Sequence, residues 1–207
     1  MPVIKKEKTK TYELLLWEIK EGIDSLTKKL NPSKEEVEEI NKFKNSKRKK
    51  QNIVARILLN ILSNKKTKLS YSDNGVPFCK TFNKISISHS NNYCGVIVSN
   101  ETIGLDIQYK HENIRKLSKR FLNQNQKFEI TNNVNELHFI WCSKEAIYKT
   151  LNGRHCSFKE NIYIQNIKEN EWTKGFYKNG DEIQHYNIYS EIINMYFISI
   201  VNTDHNV

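Results

Sequence analysis

The chain has 207 residues, of which 38% are hydrophobic and 27% are charged, values that are ordinary for a soluble globular protein with a core. Lysine and arginine number 33 and aspartate and glutamate 23, which gives a net charge of +10. This charge favours anionic partners such as nucleotides, nucleic acid or acidic proteins. A composition rich in Lys, Asn and Ile explains the charge equally well, because the cations are spread over the chain.

Cysteine usage and hydropathy exclude other classes of protein. The four cysteines form no C-x-x-C pair and stand at no metal-ligand spacing from a histidine, so we interpret them as reduced thiols. The N-terminus has no apolar segment of a signal peptide, and no run approaches the ~20 apolar residues of a membrane span. We therefore expect a cytoplasmic protein, a monomer, with no membrane partner.

The first half of the chain predicts helices followed by strands. Residues 12–22 are apolar enough for a buried strand or a short helix, and periodicity does not decide between them. Ser33 and Glu36 form a capping box that starts a helix over about 34–45. Residues 84–108 alternate with period two, which predicts a three-stranded antiparallel meander.

A dense cationic run, residues 47–50, precedes an apolar stripe at helical spacing over 53–62. The run is therefore expected on the first turn of a helix whose other face is core. It is either a solvated charge cluster or an anion site beside a helix start.

The second half repeats the order of helices and then strands. Residues 114–121 predict a short helix, 123–135 a polar loop or a frayed helix, and 136–151 a long helix with a buried stripe. No Pro- or Ser-rich linker separates the halves. The remaining segments predict a second meander: Trp172 to Tyr177, Ile183 to Tyr189 and Met195 to Val201.

Two elements of these halves carry acidic groups that could meet at one cation. Period two places Asp106 and Gln108 on one face of a strand, and helix 136–151 carries Glu145. Mg²⁺ prefers one or two carboxylates together with water and ligand phosphates, and Lys144 and Lys149 would flank the cation and meet phosphate charge. Taken alone, the Lys144–Glu145 pair is equally typical of a solvated ion pair on a helix. Asp106 alone is equally typical of an aspartate at a turn or a strand edge.

Three motifs of the sequence resemble those of the Sfp-type 4′-phosphopantetheinyl transferases. The motifs are Ser88-His89-Ser90, Gly104-Leu105-Asp106-Ile107 and Trp141-x-x-Lys144-Glu145-Ala146-x-x-Lys149, in the family's order and spacing. Weaker matches are Asn74-Gly75-Val76-Pro77-Phe78, the arginines Arg48 and Arg56, and Arg120-Phe121. The resemblance covers about residues 45–155.

The resemblance implies an enzyme that moves 4′-phosphopantetheine from coenzyme A to a serine of an apo acyl or peptidyl carrier protein, with Mg²⁺, releasing 3′,5′-ADP. It also implies an α+β fold that is a pseudo-dimer of two similar halves, about 1–101 and 102–207. Each half would pack helices on a small antiparallel sheet, with coenzyme A between the halves. The whole chain would then be one transferase unit, and its basic charge would suit both coenzyme A and an acidic carrier.

Carried over residue by residue, the resemblance assigns Asp106 and Glu145 as Mg²⁺ ligands on the coenzyme A pyrophosphate, with Gln108 at the third ligand position. Glu145, directly or through a water that it controls, would take the proton of the carrier serine. Lys149 would contact phosphate and help the leaving group, and Lys144 would also lie at the coenzyme A phosphates.

The nucleotide end of coenzyme A is assigned to the first half of the chain. Ser88 and His89 would bind it, with His89 near the 3′-phosphate, and Arg48 matches a second contact to that phosphate. Gly75 and Pro77 would shape the adenine site.

The sequence departs from the family pattern at three positions. Gln108 stands where the family usually has a third carboxylate, Val76 stands where it has a lysine, and a further acidic position falls on Gln126, with Glu129 nearby. A glutamine still offers a carbonyl oxygen to a cation, with one charge less.

Two other functions remain in view from the sequence. One is a catalytically weak or silent homologue that binds coenzyme A without transfer. The other is a basic nucleic-acid-binding module, which requires cations and aromatic residues interleaved on one face. Because most aromatic residues fall at core-periodic positions, we expect no nucleic-acid partner.

Overall fold

The computed structural model describes residues 2–123 and 133–203. Within them lie five helices and antiparallel sheets, which confirms the α+β class. The chain divides into two compact units. The amino-terminal unit comprises Met1–Ser72 and Pro77–Asn100, and the carboxy-terminal unit comprises Asp73–Val76 and Glu101–Val207.

The amino-terminal unit is a four-stranded antiparallel sheet with three helices. The order of strands in the sheet is β1-β2-β6-β5, and β3 and β4 form a separate two-stranded ribbon. Its elements are β1 (Val3–Lys8), β2 (Tyr12–Glu18), α1 (Ile23–Leu30), α2 (Lys34–Asn41), α3 (Ser46–Ser63), β3 (Ser70–Tyr71), β4 (Pro77–Phe78), β5 (Lys84–Ser90) and β6 (Tyr93–Ser99).

Local sequence explains most of these elements. The segment that periodicity left open is strand β2, and its side chain Trp17 is fully buried in the core. The capping box of Ser33 and Glu36 begins α2, which confirms that prediction. Helix α3 packs its apolar stripe into the same core, with Ile53 and Leu58 fully buried. Strand β1 and helix α1 were not predicted.

The carboxy-terminal unit is a five-stranded antiparallel sheet, in the order β7-β11-β10-β9-β8, with two described helices. The long helix α5 packs mainly against β7 and β11. The predicted second meander is confirmed as β9, β10 and β11. The elements are β7 (Ile103–Tyr109), α4 (Ile114–Phe121), α5 (Val134–Thr150), β8 (Ile162–Gln165), β9 (Trp172–Asn179), β10 (Glu182–Ile193) and β11 (Tyr196–Asn202).

The predicted first meander is wrong in its third strand. Strands β5 and β6 form a hairpin, but β7 pairs with β11 of the other sheet, with Asp106 opposite Ser199. The short connection between β6 and β7 permits a hairpin of these two strands but does not require one. Here the pairing with β11 extends over the whole of β7, from Ile103 to Tyr109.

The two sheets share a strand order. In the amino-terminal unit the strand before the helices, β2, lies beside the last strand β6, which lies beside β5. In the carboxy-terminal unit β7 lies beside the last strand β11, which lies beside β10. The order is that expected of two similar halves, while their pseudo-dimeric arrangement stays a prediction. No helix in the described ranges combines the length and the apolar character needed to cross a membrane.

Candidate functional site

Helix α5 lies directly on strand β7, and this close approach builds the site. A Cβ on Gly104 would stand 2.1 Å from the backbone oxygen of Ala146, so only glycine fits here. The contact fixes the helix turn that carries Glu145 and Lys149 next to the strand that carries Asp106. The convergence of a strand carboxylate and a helix carboxylate, predicted from the motifs, is therefore present within the carboxy-terminal unit.

Both oxygens of the Asp106 carboxylate accept hydrogen bonds from neighbouring side chains. Lys149 Nζ donates to Oδ1 at 2.8 Å, and Gln108 Nε2 donates to Oδ2 at 3.0 Å. Lys149 also donates to the backbone oxygen of Leu105 at 2.8 Å. Since Asp106 is only 3% exposed, this ammonium offsets a buried negative charge.

Glu145 is the second carboxyl of the site. Burial and then the nearby Asp106 raise its pKa and Lys149 lowers it, and together they leave the pKa at about 7. A carboxyl group that changes protonation near neutral pH suits a general base, which must hold the substrate proton and then release it. Its position beside Asp106 and its raised pKa together make Glu145 a candidate catalytic group.

A buried network of small polar side chains supports the Asp106 strand. Ser199, opposite Asp106 in the sheet, lies 3.1 Å from the hydroxyl of Ser143 and 2.9 Å from that of Ser190. Cys142 is fully buried beside them, and burial raises the pKa of its thiol well above the usual range. This thiol is therefore a packing group with no nucleophilic role. The sequence did not predict this network.

Lys144 does not lie at the carboxylates. Its side chain is fully buried, and Nζ donates to the backbone oxygens of Phe121, Phe158 and Ile162 at 2.7, 2.7 and 2.5 Å. Burial lowers its pKa to about 7. Because three acceptors match the three N–H groups of an ammonium, we assign the charged form. The assignment of Lys144 to a phosphate is corrected: it ties α5 to the end of α4 and to the start of β8.

The two large aromatic residues of the helical motif are packing residues, as predicted. The ring of Trp141 lies 5.2 Å from that of Phe121 and 5.4 Å from that of Phe158 between centroids. Tyr148 contacts the same Phe158 ring at 5.3 Å. These contacts fix the rotation of α5 and hence the direction of Glu145.

The amino-terminal unit brings Arg48 and His89 together. Arg48 Nη1 lies 2.7 Å from Nδ1 and 2.9 Å from Nε2 of the His89 ring. Arg48 stands on the first turn of α3, whose end is capped by the Asn45 side chain. A guanidinium beside an imidazole at a helix N-terminus can hold a phosphate.

A cleft of about 390 Å³ opens at the same end of α3. Lys47 and Lys50 line it, and Asn91 and Asn92 of the β5–β6 turn form its other wall. Lys47 Nζ donates to Asn91 Oδ1 at 2.7 Å. The cationic run at 47–50 therefore borders a concave surface of this unit. Ser88, by contrast, is buried, at 3% exposed.

The other residues of the predicted nucleotide site fall in two places. Gly75 has φ of +73° and belongs to the segment Asp73–Val76 of the carboxy-terminal unit, whereas Pro77 begins β4 of the amino-terminal unit. Arg56, which also matched the family, is 1% exposed and contacts Glu36 and Glu39 of α2 at 3.4 and 2.6 Å. Arg56 therefore has a structural role, because its ion pairs join α3 to α2.

The side chains at this place include the oxygen donors that a magnesium ion prefers, but both oxygens of Asp106 already accept hydrogen bonds from Lys149 and Gln108, which an ion would have to displace. Asp106, Glu145 and the amide oxygen of Gln108 are oxygen donors of the kind that Mg²⁺ takes when phosphates complete its shell. Among residues 2–123 and 133–203, no group of three His, Cys, Asp or Glu side chains forms a metal cluster. Gln126 and Glu129, the other acidic-position candidates, lie outside the described residues.

A scan against models of known protein families finds none that matches this chain, and a search of curated proteins finds no significant match. The resemblance to the Sfp-type transferases therefore rests on the motif residues alone.

Proposed function

We propose that the protein transfers 4′-phosphopantetheine from coenzyme A to a serine of an apo carrier protein. One observation carries the proposal. Glu145, with a pKa of about 7, stands beside the buried Asp106 carboxylate and the Lys149 ammonium. A base active near neutral pH, a second carboxylate and a cation are what proton removal and phosphoryl transfer need at one place.

In this proposal Glu145 accepts the hydroxyl proton of the carrier serine. The serine oxygen forms a bond to the phosphorus of the phosphopantetheine arm. The bond from that phosphorus to the bridging oxygen breaks, and 3′,5′-ADP leaves with the electron pair. Lys149, which donates to Asp106 and to the backbone oxygen of Leu105 at rest, stabilises the charge that grows on the leaving phosphate.

Asp106 and Glu145, with the side-chain oxygen of Gln108, would hold Mg²⁺, which supplies charge neutralisation on the pyrophosphate oxygens. Gln108 Nε2 donates to Asp106, so the Gln108 oxygen faces away from that carboxylate, and the amide would have to turn over for its oxygen to join Asp106 at the cation. An amide in place of a carboxylate lowers the charge of the ligand set by one, and a weaker hold on the cation is expected.

The 3′-phosphate of coenzyme A is assigned to Arg48 and His89. The proposal rests here on their contact at 2.7 Å and on the start of α3. Both groups can donate to phosphate oxygen, and Arg48 keeps its charge at every physiological pH. Ser88 is assigned only a supporting place beside His89, since its side chain is buried.

The direct test mixes the purified protein with coenzyme A, Mg²⁺ and apo acyl or peptidyl carriers, and follows the carrier mass. We expect the mass of the phosphopantetheine arm to be added. Glu145→Gln should lower the rate by about 10²–10⁴-fold, as loss of a general base does. Glu169→Gln, an exposed glutamate of the same unit, is the matched control and should leave the rate unchanged. Transfer that survives Glu145→Gln would remove the role given to Glu145.

Dephospho-coenzyme A, which lacks the 3′-phosphate, tests the nucleotide end. Arg48→Ala should raise KM for coenzyme A by about tenfold or more and leave KM for dephospho-coenzyme A nearly unchanged. An equal effect on both substrates would place Arg48 elsewhere. Coenzyme A binding by calorimetry without any transfer would identify a silent homologue instead.

A further inference from the structure

The outer half of the five-stranded sheet presents a second surface with its own pattern. Tyr186 and Ile188 of β10 and Tyr177 of β9 pack into the core beneath α5. Because successive side chains of a strand point to opposite faces, His185 and Phe176 point away from that helix. Over β8, β9 and the first part of β10 the side chains of this face are exposed or half-buried, apart from the buried Asn187, and we call it the outer face.

The register of the strands arranges the outer face in rows that run across them. Trp172 stands opposite Tyr189 in the first row, and Lys174 occupies the second. Phe176 stands between Tyr163 and His185 in the third. Lys178 occupies the fourth. Rows of aromatic rings and rows with a lysine therefore alternate, about 7 Å apart along the strand.

The rings and cations of these rows reach the surface, and Lys174 Nζ also donates to Oδ1 of the buried Asn187 in its own row. Trp172 is 39% exposed, Lys174, Lys178 and His185 are exposed, and Tyr163 is half-buried. The Tyr163 and Phe176 rings stack at 4.6 Å, and the Trp172 and Tyr189 rings lie 5.5 Å apart. The outward positions of these four rows contain no acidic residue. Among the outward positions of β10 the first acidic one is Glu191, which lies beyond the end of β9.

We propose that the outer face binds single-stranded nucleic acid. A single strand alternates flat neutral bases with phosphate charges, which is the alternation that the rows offer. Bases stack on exposed aromatic rings and phosphates pair with lysines, without need of a sequence motif. An acidic polypeptide would meet the lysines but has no flat group to place against each aromatic row. The sequence argument against nucleic acid was that aromatic residues fall at core positions, and these rows are the exception.

Fluorescence anisotropy tests the proposal with a labelled oligouridylate of about 12 nucleotides, within the 4–16 that such platforms cover. We expect binding by the wild-type chain and binding that is about 5- to 100-fold weaker for Trp172→Ala, with recovery in Trp172→Phe. Trp17 is fully buried and Trp141 is half-buried, so base stacking should quench chiefly the fluorescence of Trp172.

The lysines are tested through the salt dependence of the affinity. Lys174→Gln with Lys178→Gln should lower the slope of log affinity against log salt by about 1.4, because each phosphate contact on a single strand contributes about 0.7. Lys116→Gln with Lys119→Gln, two exposed lysines of α4, removes the same charge elsewhere and should leave the slope unchanged.

Four outcomes would overturn the proposal. They are no binding, equal binding of duplex of the same length, equal competition by polyglutamate of the same charge, and equal slopes for the two lysine pairs. Polyglutamate competition would point to an acidic protein partner instead. The melting temperature of each variant distinguishes lost binding from lost folding, and loss of binding in a folded Lys174→Gln, Lys178→Gln protein supports the proposal independently of Trp172.

Discussion

Glu145→Gln should make the protein more stable in alkaline solution while it removes the proposed base. The folded pKa of Glu145 is about 7, against 4.5 in a free carboxyl group. Below the lower value both the folded and the unfolded chain hold the proton, and a neutral Glu resembles Gln. As the pH rises between the two values, the unfolded chain loses its proton first, so the stability of the wild type falls and levels off above the upper value.

The size of the effect follows from this gap. One pKa unit corresponds to about 1.4 kcal/mol, so the full gap is about 3 kcal/mol, and about 2–2.5 kcal/mol of it should develop between about pH 5 and pH 8. For a chain of this length that is a shift in Tm of roughly 4–10 °C. Glutamine keeps the volume of the side chain and needs no compensating charge.

Urea unfolding of the wild type and of Glu145→Gln, at both pH values and with a chelator present, measures the difference directly. Other titrating groups cancel because the two proteins share them. Glu169→Gln, the exposed control, should show no growth of the difference with pH. A stability difference between wild type and Glu145→Gln that is the same at both pH values would refute the assignment of a raised pKa to Glu145.

Three further substitutions test the framework of the site by urea unfolding. Gly104→Ala sets a methyl group 2.1 Å from the Ala146 oxygen, so it should cost about 3 kcal/mol and lower the transfer rate by separating α5 from β7. Lys144→Met leaves three buried backbone oxygens without their donor and should cost about 2–4 kcal/mol. Arg56→Met removes the guanidinium from the buried Glu36, which keeps only the more distant Lys66 at 3.8 Å among the described cations, and should cost about 3 kcal/mol, part of which Glu36→Gln restores in the double variant.

Each of these has an outcome that contradicts it. Gly104→Ala with full stability would mean that α5 shifts without loss. Lys144→Met with full stability and slower transfer would return Lys144 to the phosphates. Additive losses at Arg56 and Glu36 would mean that the two side chains do not interact.

Short-range periodicity was enough to place the acidic groups of the site. Period two put Asp106 and Gln108 on one face of a strand, and in the structure the Gln108 amide bonds the Asp106 carboxylate. The helical stripe put Trp141 and Tyr148 into the core. That β7 and α5 meet was an expectation from motif order, because no local pattern specifies which strand lies under a helix.

The role of Lys144 could have been found in the sequence. The buried stripe of α5 contains Leu137, Ile140, Ile147 and Leu151. Lys144 lies four residues after Ile140 and three before Ile147, so it occupies the missing position of this stripe. A lysine that fills a core position must find acceptors inside. The adjacent Glu145 made the two residues resemble a surface ion pair, so the position of Lys144 on the buried side of the helix was overlooked.

Two other features were beyond local reasoning. The partner of β7 is β11, almost a hundred residues away, and sequence neighbours alone favour a hairpin with β6. Strand β1 was missed because its inward positions include Lys5 and Glu7, which pair at 2.9 Å, so the apolar alternation of a strand is absent. In both cases tertiary contacts decided the structure.

The segment Asp73–Val76 belongs to the carboxy-terminal unit although the chain on either side of it belongs to the other. It covers the turn after α5, where a Cβ on Gly153 would lie 2.8 Å from Cβ of Asn74. No single cut of the chain therefore yields both units whole. A fragment that begins at Glu101 lacks this cover, so attempts to dissect the protein should splice the four residues back or keep the chain intact.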